Sequence, residues 1–465
     1  MHRKITTTPG VLPPARSTRR HFLKATGAAG FAFPFVASGL RASPPSSTLR
    51  HASIGGGGMA GNDIKALASN PWVKVVAFAD VDVNRIGEVR EMIPEARYYQ
   101  DWRQLLERES GQIDSVNVSV PDHMHAPIAL SAMQLGKHCY CQKPLAHDIH
   151  ETRVLARFAR ERRLVTQMGI QNHSIRAYRQ AVALVQQGVI GRVREVHSWS
   201  SKKWGDVGPA PTRADPIPPG LDWDLWLGAA ASRPYVKDHY HPGNWRKRLD
   251  FGTGTFGDMG CHILDPVFNA LALTAPISVR SDGPAPDAWN WPIDARIRYV
   301  FPGTRFTVGR TISVTWYDGD ARLPAEVRAL LPAGGGVRSP VGPAPVDSVD
   351  QGSLFVGTEG VLHLPHPAAP RLHPEQKYRG QRLPEVEHGH HWTLWAEACR
   401  SGGSPSAGFD YSGPLTEMVL LGSVAVRFPQ TTLNWDSGRL QFSNESAANR
   451  FLRRTYRQGW EVAGL

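Results

Sequence analysis

Three residues have side chains suited to acid–base work at one carbon: Lys143 in Cys-Gln-Lys-Pro, and Asp258 and His262 in Gly-Asp-Met-Gly-Cys-His. Asp258 and His262 are four positions apart, so on a helix they share a face, with Cβ atoms about 5–6 Å apart. A neutral imidazole can take a hydroxyl proton near neutral pH, and a neighbouring carboxylate can orient it and favour its protonated form. The same spacing equally suits an ordinary local helix pair. Lys143 follows the run Cys139-Tyr140-Cys141 and is either a solvated charge or a group held at the rim of a sheet. The elements around these residues decide between the two.

The stretch from Leu49 to Asp82 reads as strand, glycine-rich turn, helix, strand. Gly55, Gly57 and Ala60 fit the pattern G-x-G-x-x-G/A, and Gly56, Gly58 and Met59 complete the turn. The first glycine permits a tight turn, the second lets a diphosphate approach the backbone at a helix N-terminus, and the third small residue lets helix and strand pack closely. The second strand ends at Asp80, 25 residues after Gly55, where a carboxylate can accept hydrogen bonds from ribose hydroxyls. That favours NAD over NADP. Further strands ending near Val120, Cys141 and Ile170 alternate with helices, so the fold expected here is α/β with a doubly wound parallel sheet. Ligands of such sheets sit beyond the carboxyl ends of the strands. Three segments therefore face one crevice: the glycine turn, the turn with Pro121 and His125, and the loop with Gln142 and Lys143. Lys143 belongs to the ligand-binding edge.

Beyond residue 170 the segments are longer and richer in aromatic residues and proline. Tyr240, His241, Asn244, Trp245 and Arg246 lie close together and suit hydrogen bonding and stacking on a sugar ring, or else an irregular loop around a structural Trp. His173 follows a sheet strand into the same crevice and is a candidate contact for substrate or nicotinamide. His388, His390 and His391 are too close in sequence to converge and have no evident acidic partner, so no metal is assigned. The Pro/Gly-rich stretch 326–352 reads as a surface loop, and residues 352–365 as paired strands. Residues 409–428 and 446–460 read as two helices on a sheet.

The chain has 465 residues, a formal charge of +12 and four cysteines, a globular composition of two or three domains' length. Its basic residues are scattered without interleaved stacking aromatics, which argues against a nucleic-acid partner. Cys139 and Cys141 read as small apolar groups on one strand face. No apolar run long enough to span a membrane follows the N-terminus. There, Arg19 and Arg20, then Phe22, Leu23, Lys24 and a mildly apolar stretch, resemble a twin-arginine export signal with cleavage near Ala42 and a periplasmic destination. Export in the folded state suits a protein loaded with a tightly held cofactor.

The order of glycine turn, Asp80, Asn117-to-His138 and "CQKPLAHDIHE" resembles the Gfo/Idh/MocA family of oxidoreductases. With the export signal read over 1–42, the resemblance covers nearly all of the chain after it and implies a Rossmann domain over 46–169, and over 170–465 an α+β substrate domain whose large, mainly antiparallel sheet often forms a subunit interface. It implies an enzyme that oxidises a secondary hydroxyl of a sugar or glycoside with NAD, a small carbohydrate as its partner, and homo-oligomers. Lys143 and His262 would converge on that hydroxyl, His262 taking the proton, Lys143 stabilising the developing alkoxide and Asp258 holding His262. The family commonly has Glu-Lys-Pro where this chain has Gln142-Lys143-Pro144. Two alternatives stay open. One is an NAD-dependent glycosidase working by transient oxidation, with His173, Tyr240 or His241 as the extra base; the other is a silent cofactor-binding envelope protein.

Overall fold

The computed structural model describes residues 48–320, 323–331, 336–338, 345–347 and 350–465. The twin-arginine segment lies outside them. Six described strands form a parallel sheet: β1 (Leu49–Ile54), β2 (Val73–Ala79), β3 (Arg97–Tyr99), β4 (Ser115–Val118), β5 (His138–Cys141) and β6 (Thr166–Met168), in the spatial order β3-β2-β1-β4-β5-β6. The order reverses between β1 and β4, which opens a crevice at their carboxyl ends. Helices cover both faces, so β4 and most of β5 are buried throughout, Cys139 and Cys141 included. Helix Ile149–Arg162 behind Lys143 is started by a capping box between Asp148 and Glu151 and ended by Arg163 at φ 54°, which fixes its start and stop locally.

Nine strands form the second sheet: β7 (Val193–Ser200), β8 (Ser278–Ser281), β9 (Arg296–Pro302), β10 (Thr311–Asp318), β13 (Gln351–Gly357), β14 (Val361–Pro365), β15 (Arg371–His373), β16 (Thr432–Asp436) and β17 (Gln441–Phe442). β11 (Gly336–Arg338) and β12 (Pro345–Asp347) pair with each other inside the stretch expected to be a plain loop. Among the described strands of the large sheet, only β7 and β10 run parallel. Alternation in β9 sends Ile297, Tyr299 and Phe301 into the core and Arg296 and Arg298 outward, the period expected of a sheet with one covered face. Helix Phe409–Ala425 joins the two sheets, its Glu417 paired with Arg153 of helix Ile149–Arg162. The second helix expected near the C-terminus is instead one 3₁₀ segment, Ser446–Phe451, followed by irregular chain with turns. There the Arg454 amide donates to Asp148 and its guanidinium to Glu151, bonds that a continuing helix would forgo.

The core holds several neutral histidines. Burial pushes His51 down to about 4, and His123 and His391 to about 3; His366 at the cavity described below is also pushed down to about 3. These bases bind a proton when unfolded and not when folded, so their full contribution to stability is present above pH ~6.5 and is lost as pH falls toward their folded pKa values. At pH ~5 each costs about 2 kcal/mol. Asp63 and Asp318, pushed up by burial to about 6 and about 7, act in the opposite direction and recover about half of that loss. The melting temperature is expected to fall by about 5 °C between pH ~7.5 and ~5, as thermal unfolding across that range will read; a rise would mean that the carboxyls dominate.

Candidate active site

The turn after β1 is shaped for a ligand that approaches the backbone. Gly55 has φ +106°, and a Cβ there would lie 2.4 Å from the Ser119 carbonyl oxygen. Gly58, at φ 57°, caps helix Met59–Ala68, and Ala60 is fully buried beneath Gly55. Asp80 accepts from the amides of Gly56 (2.8 Å) and Gly57 (3.2 Å) through Oδ2 and from the Asp82 amide through Oδ1 (2.9 Å). The residue expected to meet ribose hydroxyls therefore also anchors the glycine loop. Gly55→Ala is expected to abolish dinucleotide binding, because a Cβ fits neither the φ nor the space; dinucleotide released per chain on denaturation is the measurement.

One cavity of about 640 Å³ runs from Gly55, Gly57, Gly58 and Met59 past Asp80, Pro121 and His125 to Gln142, Lys143, Asp258 and His262. It thus joins the expected cofactor cradle to all three expected catalytic groups. His125 is a strut whose ring nitrogens lie 2.7 Å from the Pro144 carbonyl and 2.9 Å from that of Val120, tying the lysine loop to the Pro121 turn. The far wall comes from the second sheet's side of the molecule. Backbone bonds Asp222 N to Val81 O (2.9 Å) and Val83 N to Gly220 O (3.0 Å), with His241 Nε2 2.8 Å from Asp82 Oδ2, clip the segment 219–243 across the end of β2. A separate open groove of about 820 Å³ beside Arg192 and Glu359 shares no lining residue with this cavity.

The chemical end differs from expectation in one respect. Asp258 and His262 do share helix Gly254–Ile263, yet Asp258 does not hold His262. Its carboxylate takes Lys143 Nζ at 2.5 Å, and the same ammonium donates to the Asp258 carbonyl at 2.8 Å. Arg246 Nε is 3.4 Å and Lys202 Nζ 3.8 Å from the carboxylate. Burial alone would push this carboxyl up, but the three cations outweigh it and hold it well below the usual range. Coulomb attraction to cations from other segments decides the pairing over helical proximity to a neutral ring. His262 is neutral, because burial first and then Lys143 push its pKa well down. Its Nδ1 is buried without a hydrogen-bond partner among the described residues, which leaves Nε2 as the nitrogen for the cavity.

Of the expected substrate residues, Trp245 and Arg246 line the cavity, and His241 reaches its rim with both ring nitrogens engaged by Trp226 and Asp82. His173, Tyr240 and Asn244 do not line it. His173 sits between Asp265 (2.9 Å) and Ser406 (3.1 Å); Tyr240 is buried in an aromatic cluster with Trp223, Trp226 and Phe251; Asn244 donates to the Asp238 carbonyl. His388, His390 and His391 turn to three different partners, Val386, Thr393 and Met168.

Residues not singled out in the sequence complete the site. His366, at the end of β14, lines the cavity with its ring centroid 5.9 Å from that of His262, and its Nδ1 pairs with the buried Tyr178 hydroxyl. Lys202 and Trp204, just past β7, and Arg85, beside Gly57, also line it. Asp63 lies behind Gln142, whose amide donates to both of its oxygens at 3.1 and 3.0 Å. None of these has a local signal, because each is brought in by a strand end or helix face far away in sequence.

A parallel six-stranded sheet with a glycine-turn cradle, followed by a mixed sheet closing the crevice, defines an NAD-binding oxidoreductase of two-domain α/β type. The family model described as "Oxidoreductase family, NAD-binding Rossmann fold" matches residues 49–170, and "Oxidoreductase family, C-terminal alpha/beta domain" matches 177–304. The chain belongs to the Gfo/Idh/MocA family. It is 26% identical over 165 residues to levoglucosan dehydrogenase of Pseudarthrobacter phenanthrenivorans, covering 36% of this chain and 34% of that one. It is 28% identical over 150 residues to inositol 2-dehydrogenase of Salmonella typhimurium, covering 31% and 44%. The matched stretches thus span a third to a half of these curated relatives. In fold it is similar to the WlbA dehydrogenase of Chromobacterium violaceum, solved with NADH and UDP-GlcNAcA (TM-score 0.58, 13% identity, 86% of this chain and 99% of that one). It is also similar to aldose–aldose oxidoreductase of Caulobacter crescentus (TM-score 0.53, 15% identity, 83% and 100%).

Proposed function

We propose that this enzyme oxidises a secondary hydroxyl of a sugar or glycoside, with NAD kept in place through the cycle. The observation that carries the reading is the single cavity that joins the glycine cradle to a neutral buried His262 and a cationic Lys143. The relatives named levoglucosan and inositol 2-dehydrogenases support the same substrate class. The cradle of Gly55, Gly57, Gly58 and Asp80 would hold the nicotinamide cofactor, which would supply the hydride acceptor for the alcohol carbon. The chain's own groups do the rest. His262 Nε2 takes the hydroxyl proton, and Lys143 Nζ donates a hydrogen bond to the oxygen as negative charge develops on it. Asp258 fixes the lysine in a geometry it would otherwise have to find at each turnover. The clip of 219–243 over the cleft supports slow cofactor exchange, and the Arg19-Arg20 segment supports export in the loaded state to the periplasm. The test is to denature protein purified without added cofactor and weigh the released dinucleotide; near one NAD per chain is expected, and none before or after adding NAD sinks the reading.

A second reading, redox-assisted glycoside hydrolysis, is favoured by His366. That reaction needs a base at the carbon beside the oxidised one, a role expected of His173, Tyr240 or His241. Those three are committed elsewhere, whereas His366 is neutral, held by Tyr178 and next to His262. In deuterium oxide, His366→Ala is expected to slow deuterium entry at the neighbouring carbon about 10²-fold while cofactor reduction persists. Unchanged incorporation in the variant removes His366 from that role.

A further inference from the structure

We propose that the substrate carries an anionic substituent, a uronate carboxylate first among them, and that Arg246 and Lys202 form its binding site. The proposal rests on the sugar-oxidoreductase reading above and narrows its substrate class.

Arg246 is a prepared fork. Its guanidinium carbon stands 4.2 Å from the Trp245 ring centroid and 5.5 Å from that of Trp204, contacts that hold the planar cation in place. Only Nε is engaged, at 3.4 Å from Asp258, and the two terminal amino groups make no hydrogen bond among the described residues. Lys202 Nζ stands 3.8 Å from the same carboxylate and likewise donates no hydrogen bond there. Both side chains line the cavity that holds Lys143 and His262, so an anion they bind is on the sugar being oxidised or on its immediate neighbour.

The charge balance points the same way. Lys143, Lys202 and Arg246 gather on one carboxylate, Asp258. Of the cavity's other carboxyls, Asp122 is buried and accepts from the Thr253 hydroxyl at 2.7 Å, and Asp80 is taken up by the Gly56, Gly57 and Asp82 amides at the cofactor end, while His262 and His366 are kept neutral by burial. A neutral sugar would leave a surplus of positive charge and unspent donors facing its hydroxyls. A carboxylate matches both the surplus and the fork, since guanidinium donors bind it in parallel pairs. A sulfate ester presents the same anionic oxygens to the same groups.

Equilibrium binding separates these cases without requiring turnover. Quenching of tryptophan fluorescence, with Trp204 and Trp245 at the site, would be titrated with methyl glucuronide, methyl glucoside and methyl glucoside 6-sulfate on the protein as purified. An anionic ligand is expected to bind at least ~10-fold tighter than the neutral glucoside, with the preference shrinking as salt is raised. Preference for the glucuronide identifies the carboxylate, and preference for the sulfate the ester; either supports the anion site. Arg246→Gln and Lys202→Gln should each remove most of the preference, and Arg246→Lys, which keeps charge but not the fork, should lower it for the carboxylate. Both positions are partly exposed, and unchanged circular dichroism checks that the variants fold. Equal or tighter binding of the neutral glucoside, no binding of any of the three, or a preference untouched by these variants overturns the proposal. Cofactor reduction is scored separately, so a tight anionic ligand that is never oxidised counts against the oxidoreductase reading alone.

Discussion

Lys143→Met is expected to lower kcat for cofactor reduction by about 10³-fold with little change in bound dinucleotide. The ammonium lines the same cavity as His262 and is fixed there through two bonds to Asp258. Losing a single prepared donor to a developing oxyanion costs about 10²–10³ in rate. Misplacing the hydroxyl relative to His262 adds to that. Methionine keeps the stem's volume, and Arg246 and Lys202 still neutralise Asp258, so folding is expected to survive. His262→Ala should cost a comparable 10²–10⁴ by removing the proton acceptor. Stopped-flow reduction of the bound cofactor under saturating substrate is the measurement, because it isolates chemistry from release. Retention of kcat within tenfold in Lys143→Met would transfer the role to Lys202, the other lysine of the cavity.

These expectations trace back to features of unequal visibility in the sequence. The parallel sheet was legible because each strand and helix carries its own period and its own punctuation. Gly55 marks a positive φ, Asp80 a strand end, and Pro121 a turn. Lys143 was legible as a site residue for the same reason: the carboxyl end of a strand in such a sheet is where ligands bind. The pairing of Asp258 was misread because spacing of four gives proximity, whereas the choice of partner follows charge. Lys143 arrives from another sheet, and its attraction to a carboxylate exceeds anything a neutral imidazole offers. His366 and Tyr178 lie 188 positions apart and meet only once the second sheet's order is set. Nothing in their neighbours announces it. Clusters by composition misled in the other direction: of the run His239 to Arg248, Trp245 and Arg246 line the cavity, with Arg246 held on the Trp245 ring and its terminal amino groups unspent.

Gln142→Glu, which restores the residue common in the family, is expected to destabilise this chain by about 3–5 kcal/mol at pH ~7.5. The reason is Asp63. That carboxylate is fully buried and accepts from Gln142 Nε2 twice, from the Ser119 hydroxyl at 2.6 Å and from the Trp392 indole at 2.8 Å. Glutamate would withdraw two of those donors and set a second carboxylate about 3 Å from the first, a pair that cannot both ionise. One carboxyl would then keep its proton in the folded state at pH values where the unfolded chain has released it. Its folded pKa is raised, so stability is retained below the unfolded value near 4.3 and lost as pH climbs through the raised one. Urea unfolding at pH ~5 and ~7.5 should therefore show a gap between variant and wild type that widens with pH. The double change Asp63→Asn with Gln142→Glu should recover most of the loss, since the introduced amide nitrogen would donate to the introduced carboxylate and to the Ser119 hydroxyl, which can accept as well as donate, while the amide oxygen still accepts from the Trp392 indole. A recovery of less than about 1 kcal/mol in that cycle would mean that the two side chains are not a unit. If the swap does recover, the lysine loop of this chain is held by a carboxylate on helix Met59–Ala68 in place of one beside Lys143, and the absence of glutamate at position 142 ceases to be a departure in chemistry.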